Sequence, residues 1–299
     1  MTELRPDPRF RNLVQLLEAT PALQAEPYLT VRLPFTLKGR IGFSTGSLEL
    51  LNQSNTTIRI MNTTQAQDYI LSISQPKTES STRNPDEIAQ AQIQRAFFRG
   101  RLFLASLSSA SKAFLLWRTL DTYHKVQVDF AEKDRNVSPE TSFVNVDGQD
   151  YVSEFHLHHA LRTVAQMQQQ PWSDPFLMNY ENGGAFLLAP RFSVNYWPEA
   201  FLSFFRCLEY LVMVKILDKK GQFRPPDLGA AMRKLGANIS GGPLPKKAVQ
   251  GFATQLVRRR GQCAAHHLKG HRNDLEAQEI YKLKEMVDFL FAVTVDKKL

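Results

Sequence analysis

Hydrophobic positions along the chain change their period several times. In Asp7–Ala19, Phe10, Leu13, Val14, Leu16 and Leu17 recur at the intervals of a short amphipathic helix. From Tyr28 to Ser74 the pattern becomes that of strands. YLTVRLPFTL, IGFSTGSLELL, TTIRIMN and YILSIS are β-branched or alternating, with turn residues between them. QPKTESSTRNPDE, a polar break with two prolines, reads as a surface loop. Ile88–Leu120 carries Phe97, Phe98, Leu102, Phe103, Leu107, Phe114 and Leu115, which predicts one long helix or two. KVQVDF and TSFVNVDGQDYV read as further strands closed by an Asp-Gly turn, and Phe155–Gln170 as a helix. PWSDPFLMNYENGG reads as a loop, and AFLLAPRFSVNYW as a strand pair or an irregular approach to the next helix.

The last hundred residues are helical in period. Pro198 suits a first helical turn, where its missing N–H costs nothing. Phe201, Phe205, Leu208, Leu211 and Val212 continue an apolar stripe to about Leu217, and GQFRPP stops it. DLGAAMRKLG is expected to be a short helix capped by Asp227 and ended by Gly236. Pro245 opens a third helix to about Leu268, HRND is a hinge, and Leu275–Val295 is a fourth helix, apolar at Ile280, Leu283, Val287, Leu290 and Phe291. The expected fold class is α+β: a mixed, β-containing N-terminal domain over residues 1–190 (strands about 28–75 and 125–152, helix about 88–120), followed by an all-α domain of four helices over 191–299.

Bulk composition narrows the classes. A chain of 299 residues with 43% hydrophobic and 22% charged residues buries a sizeable core and is not disordered. MTELRPDPRF has no apolar region of the secretory type, and the longest apolar runs, FLLW and YLVMV, fall far short of the roughly 20 residues of a membrane helix. Cys207 and Cys263 sit inside helical patterns, so free thiols in a reducing cytoplasm are expected. The net charge of +8 is unevenly placed. Phe201–Leu299 holds 18 Lys and Arg against 9 Asp and Glu, and Leu228–Asn273 holds nine Lys and Arg with no acidic residue. Such an excess attracts polyanions, although a charge run is also what any solvated helix face carries.

The phase of the third helix sharpens that choice. Val249, Phe252, Leu256 and Cys263 define one face, and the same spacing extended lands on Arg259 and His266. Seven residues apart in a helix, these two differ by only about 20° in azimuth. Arg260 and His267 repeat the relation on the flank of the stripe. An arginine on an apolar stripe is costly unless its guanidinium finds an anion or a cleft, or reaches past the stripe to water.

A helical domain whose third long helix carries an arginine followed by histidine after five or six residues resembles the HEPN superfamily. EAFLSFFRCLEYLV is similar to the first HEPN helix and EIYKLKEMVDFLFAV to the closing one. The front half resembles the accessory regions before HEPN domains in some bacterial defence and methylamine-utilisation (MauJ-like) proteins. The resemblance implies a four-helix bundle acting as a metal-independent, cofactor-free endoribonuclease, with the motif helices of a homodimer forming one cleft. It implies roles in phage defence or toxin-like growth arrest. On it His266 is the acid/base group with His267 as alternative, and Arg259 or Arg260 holds the scissile phosphate. Lys246, Lys247, Arg258 and Lys269 bind the nucleic acid. An imidazole near pKa 6.5 can move the 2′-OH proton, and a permanent guanidinium can stabilise phosphoryl charge. Many active HEPN domains carry a small polar residue after the arginine. Here stand Gly261 and Gln262, and the glycine is expected to loosen the last turns. The competing expectation is a non-catalytic HEPN-like module binding nucleic acid, nucleotide or a protein partner, with recognition supplied by the N-terminal domain.

EFHLHH, with His156, His158 and His159 beside Glu154, invites a metal, but no second ligand cluster follows and surface histidines are expected. His271 and Asp274 can pair, although a capping Asp in a hinge explains Asp274 more simply. The chain has no GxGxxG and no GxxxxGK[ST], which removes those nucleotide-binding loops.

Overall fold

Strand β1 (Tyr28–Lys38) organises the N-terminal part of the chain. In the computed structural model, the described residues are 28–38, 40–41, 47–51, 57–62, 68–76, 85–111, 113–116, 127–129, 151–152, 154–167, 174–188, 196–236, 243–269 and 275–296. The helix expected over 7–19, the strand TSFVNV, and the hinge pair His271 and Asp274 lie outside them. β1 runs antiparallel to β5 (Asp68–Pro76) along one edge, from Tyr28 opposite Pro76 to Thr36 opposite Asp68. Its other edge takes β6 (Phe114–Leu116) and β7 (Gln127–Asp129), both antiparallel. β4 (Thr57–Asn62) pairs with β5, and β3 (Ser47–Leu51) with β4. β2 (Arg40–Ile41) and β8 (Tyr151–Val152) form a separate parallel pair.

Alternation sets one face of this sheet. Val31, Leu33, Phe35 and Leu37 are buried, and register places Leu71 and Ile73 of β5 beside them, then Ile58 and Ile60 of β4. Helix α1 (Pro85–Ser111) brings Gly100 against that face, where an added Cβ would collide with Leu33 and Ile73. A larger residue here would make the ends of those two side chains shift. The helix expected to run to about 120 stops at Ser111, and Phe114–Leu116 is a strand with Leu115 opposite Leu37. A four-residue apolar run fits either state, and pairing with β1 decides it.

The other helices are α2 (Glu154–Met167), α3 (Asp174–Leu188), α4 (Trp197–Glu209), α5 (Pro225–Lys234), α6 (Lys246–Lys269) and α7 (Ala277–Asp296). Strands followed by helices make the chain α+β. Contacts divide it into one unit of residues 1–104 with 113–164, and another of 105–112 with 165–299. In the second unit α3 packs on α4, α4 on α6 and α7, and α5 on α6.

The segment PWSDPFLMNYENGG is largely helix α3, not a loop. An added Cβ at Gly183 would stand 2.8 Å from the Phe204 ring of α4. The glycine is there for close helix approach, not for a turn. α4 opens with Pro198 in its first turn and continues as a π-helical stretch, Tyr210–Ile216, with Leu217 N–H donating to the Val212 carbonyl at 2.9 Å. Phe201, Phe205, Leu208, Leu211 and Val212 are all buried, as their spacing requires. Asp227 is not the N-cap of α5. It stands one turn in and accepts the Arg224 N–H at 2.8 Å, while Gly236, at φ 97°, ends the helix.

Candidate nucleic-acid interface

Helix α6 carries every basic residue singled out at the third helix. Val249, Ala253, Leu256 and Cys263 are buried, and Phe252 is half-buried. These buried positions centre the apolar face about 25° from the azimuth of Arg260 and put Arg259 about 75° away on its flank, the reverse of the order that the stripe 249, 252, 256, 263 predicts. The Arg259 and Arg260 side chains are 27% and 30% exposed. Arg258 is exposed. The helix is unbroken across Gly261, whose Cβ position faces open space. The backbones of Lys246, Lys247, His266, His267 and Lys269 belong to the same helix, and their side chains lie outside the described residues.

The two arginines find different partners. Arg259 Nε donates to Glu279 Oε1 at 2.9 Å, and its Nη1 donates to Gln262 Oε1 at 3.1 Å. Glu279 stands in the first turn of α7, where its Oε2 also accepts the Glu276 N–H at 3.1 Å. Arg260 turns toward α4. Its guanidinium lies 5.2 Å from the Phe205 ring centroid, with Nη1 4.0 Å from Glu209 Oε1. That oxygen already accepts the Phe223 N–H at 2.9 Å. Partly exposed pairs of this kind contribute on the order of 0.2–1 kcal/mol each, and stacking on an aromatic face adds a similar amount. The sequence names neither carboxylate. The signal that points to them is the absence of acids from 228–273: counter-charges for a half-buried arginine have to come from α4 and α7.

A second polar cluster lies inside the helical unit. Lys284 Nζ donates to Asp288 Oδ2 at 2.7 Å, and the Tyr180 hydroxyl of α3 donates to Asp288 Oδ1 at 2.5 Å. Lys284 Nζ also lies 5.4 Å from the Tyr180 ring centroid. Ser109, at the end of α1, donates to the Asp288 backbone carbonyl at 3.2 Å. Burial pushes the Asp288 carboxyl up from its ordinary value, against the pull of Lys284. Burial first and the Asp288 charge second push the Tyr180 phenol well up. Burial also pushes up the Cys207 thiol, whose Sγ donates to the Phe176 carbonyl at 3.5 Å, so it is an inert core group. Cys207 and Cys263 are both buried, and neither is in a disulfide.

The EFHLHH histidines lie on helix α2. His158 is exposed, His156 meets the Phe155 ring edge-on, and Arg162 Nη2 lies 3.4 Å from His159 Nδ1. Among the described residues no group of three His, Cys, Asp or Glu can hold a metal ion. Among them also no helix is long and apolar enough to cross a membrane. No protein-family model, no curated protein and no solved structure matches the chain.

Proposed function

We propose that the helical unit is an HEPN-type module that works on RNA as a metal-independent endoribonuclease, with His266 as acid/base and an arginine of α6 on the scissile phosphate. The observation that carries this reading is the continuity of α6 from Lys246 to Lys269 across Gly261. That continuity keeps Arg259 and His266 within about 20° of azimuth of one another, two turns apart, in a stretch without acidic residues. Arg258, Lys246, Lys247 and Lys269 add positive charge along the same helix for the RNA backbone, and a second copy of the chain would complete the cleft.

The pairing of Arg259 and Arg260 with carboxylates favours a second reading, a module that binds RNA without cutting it. One experiment separates the two. Purified protein is incubated with several single-stranded RNAs in excess chelator, beside His266→Ala. Cleavage that persists in chelator and disappears in the variant supports the nuclease. Salt-dependent binding that survives His266→Ala, with no cleavage by either protein, supports the binding module. A wild type that neither binds nor cuts RNA refutes both.

A further inference from the structure

We propose that Glu279 and Gln262 are positioning residues for Arg259, and that they make Arg259 the arginine that meets the RNA phosphate. This rests on the RNA-directed reading of α6.

A guanidinium offers five N–H donors in one fixed plane, so gripping two of its nitrogens aims the third. Arg259 is gripped at two nitrogens on different edges of that plane: Nε by Glu279 Oε1 at 2.9 Å, and Nη1 by Gln262 Oε1 at 3.1 Å. Among the described residues its Nη2 takes no bond. The Glu279 carboxylate is itself fixed, because its second oxygen holds the Glu276 N–H at 3.1 Å in the first turn of α7. Gln262 is braced by its place one turn along the same helix. An oxyanion arriving at Nη2 therefore meets a donor set in place beforehand, and little side-chain freedom is lost at that moment.

Arg260 is held in another manner. Among the described residues no hydrogen bond fixes its plane. One face is covered by Phe205, and the Glu209 carboxylate oxygen 4.0 Å away already serves the Phe223 N–H. An arginine stacked on a core aromatic ring fastens α6 to α4, which is a packing task. The two neighbouring arginines thus divide the work.

The test is steady-state cleavage of a single-stranded RNA oligonucleotide in chelator, with thermal melting of each variant. Glu279→Gln is expected to lower kcat about tenfold with KM unchanged or lower, since misaiming a contact costs turnover whereas losing a carboxylate only attracts RNA. Gln262→Ala, on an exposed residue, is expected to lower kcat about threefold with no change in melting. Glu209→Gln, on the Arg260 side, is expected to lower the melting temperature and leave kcat unchanged. A Glu279→Gln protein that changes KM alone overturns the proposal, as does a Glu209→Gln protein that loses as much kcat. Should the wild type bind RNA without cutting it, the same variants are compared by Kd. Weaker binding by Glu279→Gln, against the charge change, then supports the proposal, and tighter binding overturns it. A wild type inert toward RNA sinks the functional reading and the proposal together, whereas an active wild type with the wrong pattern of variants sinks the proposal alone.

Discussion

Lys284 and Asp288, one turn apart on α7, meet at 2.7 Å with side chains only 5% and 9% exposed. Each charge has lost most of its water, and their attraction offsets that loss only while both are present. Removing one partner is therefore the costly change. Asp288→Asn leaves the ammonium buried without its counter-charge and is expected to destabilise by about 3–5 kcal/mol. Lys284→Met leaves a carboxyl that can take a proton and keep the Tyr180 bond, so its cost should be smaller, about 1–3 kcal/mol. The double variant Lys284→Met with Asp288→Leu removes both charges but takes the acceptor from the buried Tyr180 hydroxyl, so it is expected to be less destabilised than Asp288→Asn and to lie within about 3 kcal/mol of the wild type. Denaturant unfolding of the three proteins checks the order.

The same carboxyl gives stability a pH dependence of definite sign. Its folded value is raised above the unfolded one, chiefly by burial, so the folded state binds more protons than the unfolded state between the two. Its contribution is fully present below the ordinary carboxylate value of about 3.9 and is lost as pH rises through the folded value. The melting temperature of the double variant, relative to wild type, should therefore increase as pH rises from about 3.9. A difference that stays flat over that range would show that Asp288 titrates as in the unfolded chain.

Neighbouring glycines of α3 should respond with opposite signs. At Gly183 a new Cβ would press on the Phe204 ring at 2.8 Å, and Gly183→Ala is expected to cost about 1–3 kcal/mol. At Gly184 nothing lies within 4 Å, and Gly184→Ala should stabilise by about 0.5–1 kcal/mol through helix propensity. Chemical denaturation of both variants reads the contrast directly.

Gly261 of α6 also faces open space, so Gly261→Ala should stabilise by a similar amount, about 0.5–1 kcal/mol. Because the helix already passes unbroken through this position, the variant should retain any RNA cleavage of the wild type. Loss of cleavage with gain of stability would instead assign the glycine a part in loosening the helix around its histidines.

What the sequence made legible follows from how local each signal is. α4, α6 and α7 announce themselves because each buries a stripe whose period is written in consecutive residues, such as Phe201, Phe205 and Leu208. α3 does not, because Gly183 is chosen by a ring on another helix and looks like a turn when read alone. Phe114–Leu116 fails for the same reason: Leu37, far back in the chain, makes it a strand. The site divides likewise. Its basic helix is legible, but Glu279 stands 20 residues beyond Arg259 and Glu209 stands 51 before Arg260, with no pattern linking them.

Asp288 gathers bonds from Ser109 and Tyr180, residues 179 and 108 positions earlier. Synthesis runs from the N-terminus, so these two groups are made long before the residue that satisfies them. A nascent chain that has not yet reached α7 carries the apolar faces of α3 and α4 uncovered, with the Tyr180 hydroxyl lacking its acceptor. The helical unit is thus closed late in synthesis, by bonds that join residues more than a hundred positions apart. Its most exposed moment toward aggregation and proteolysis is the interval before α7 docks.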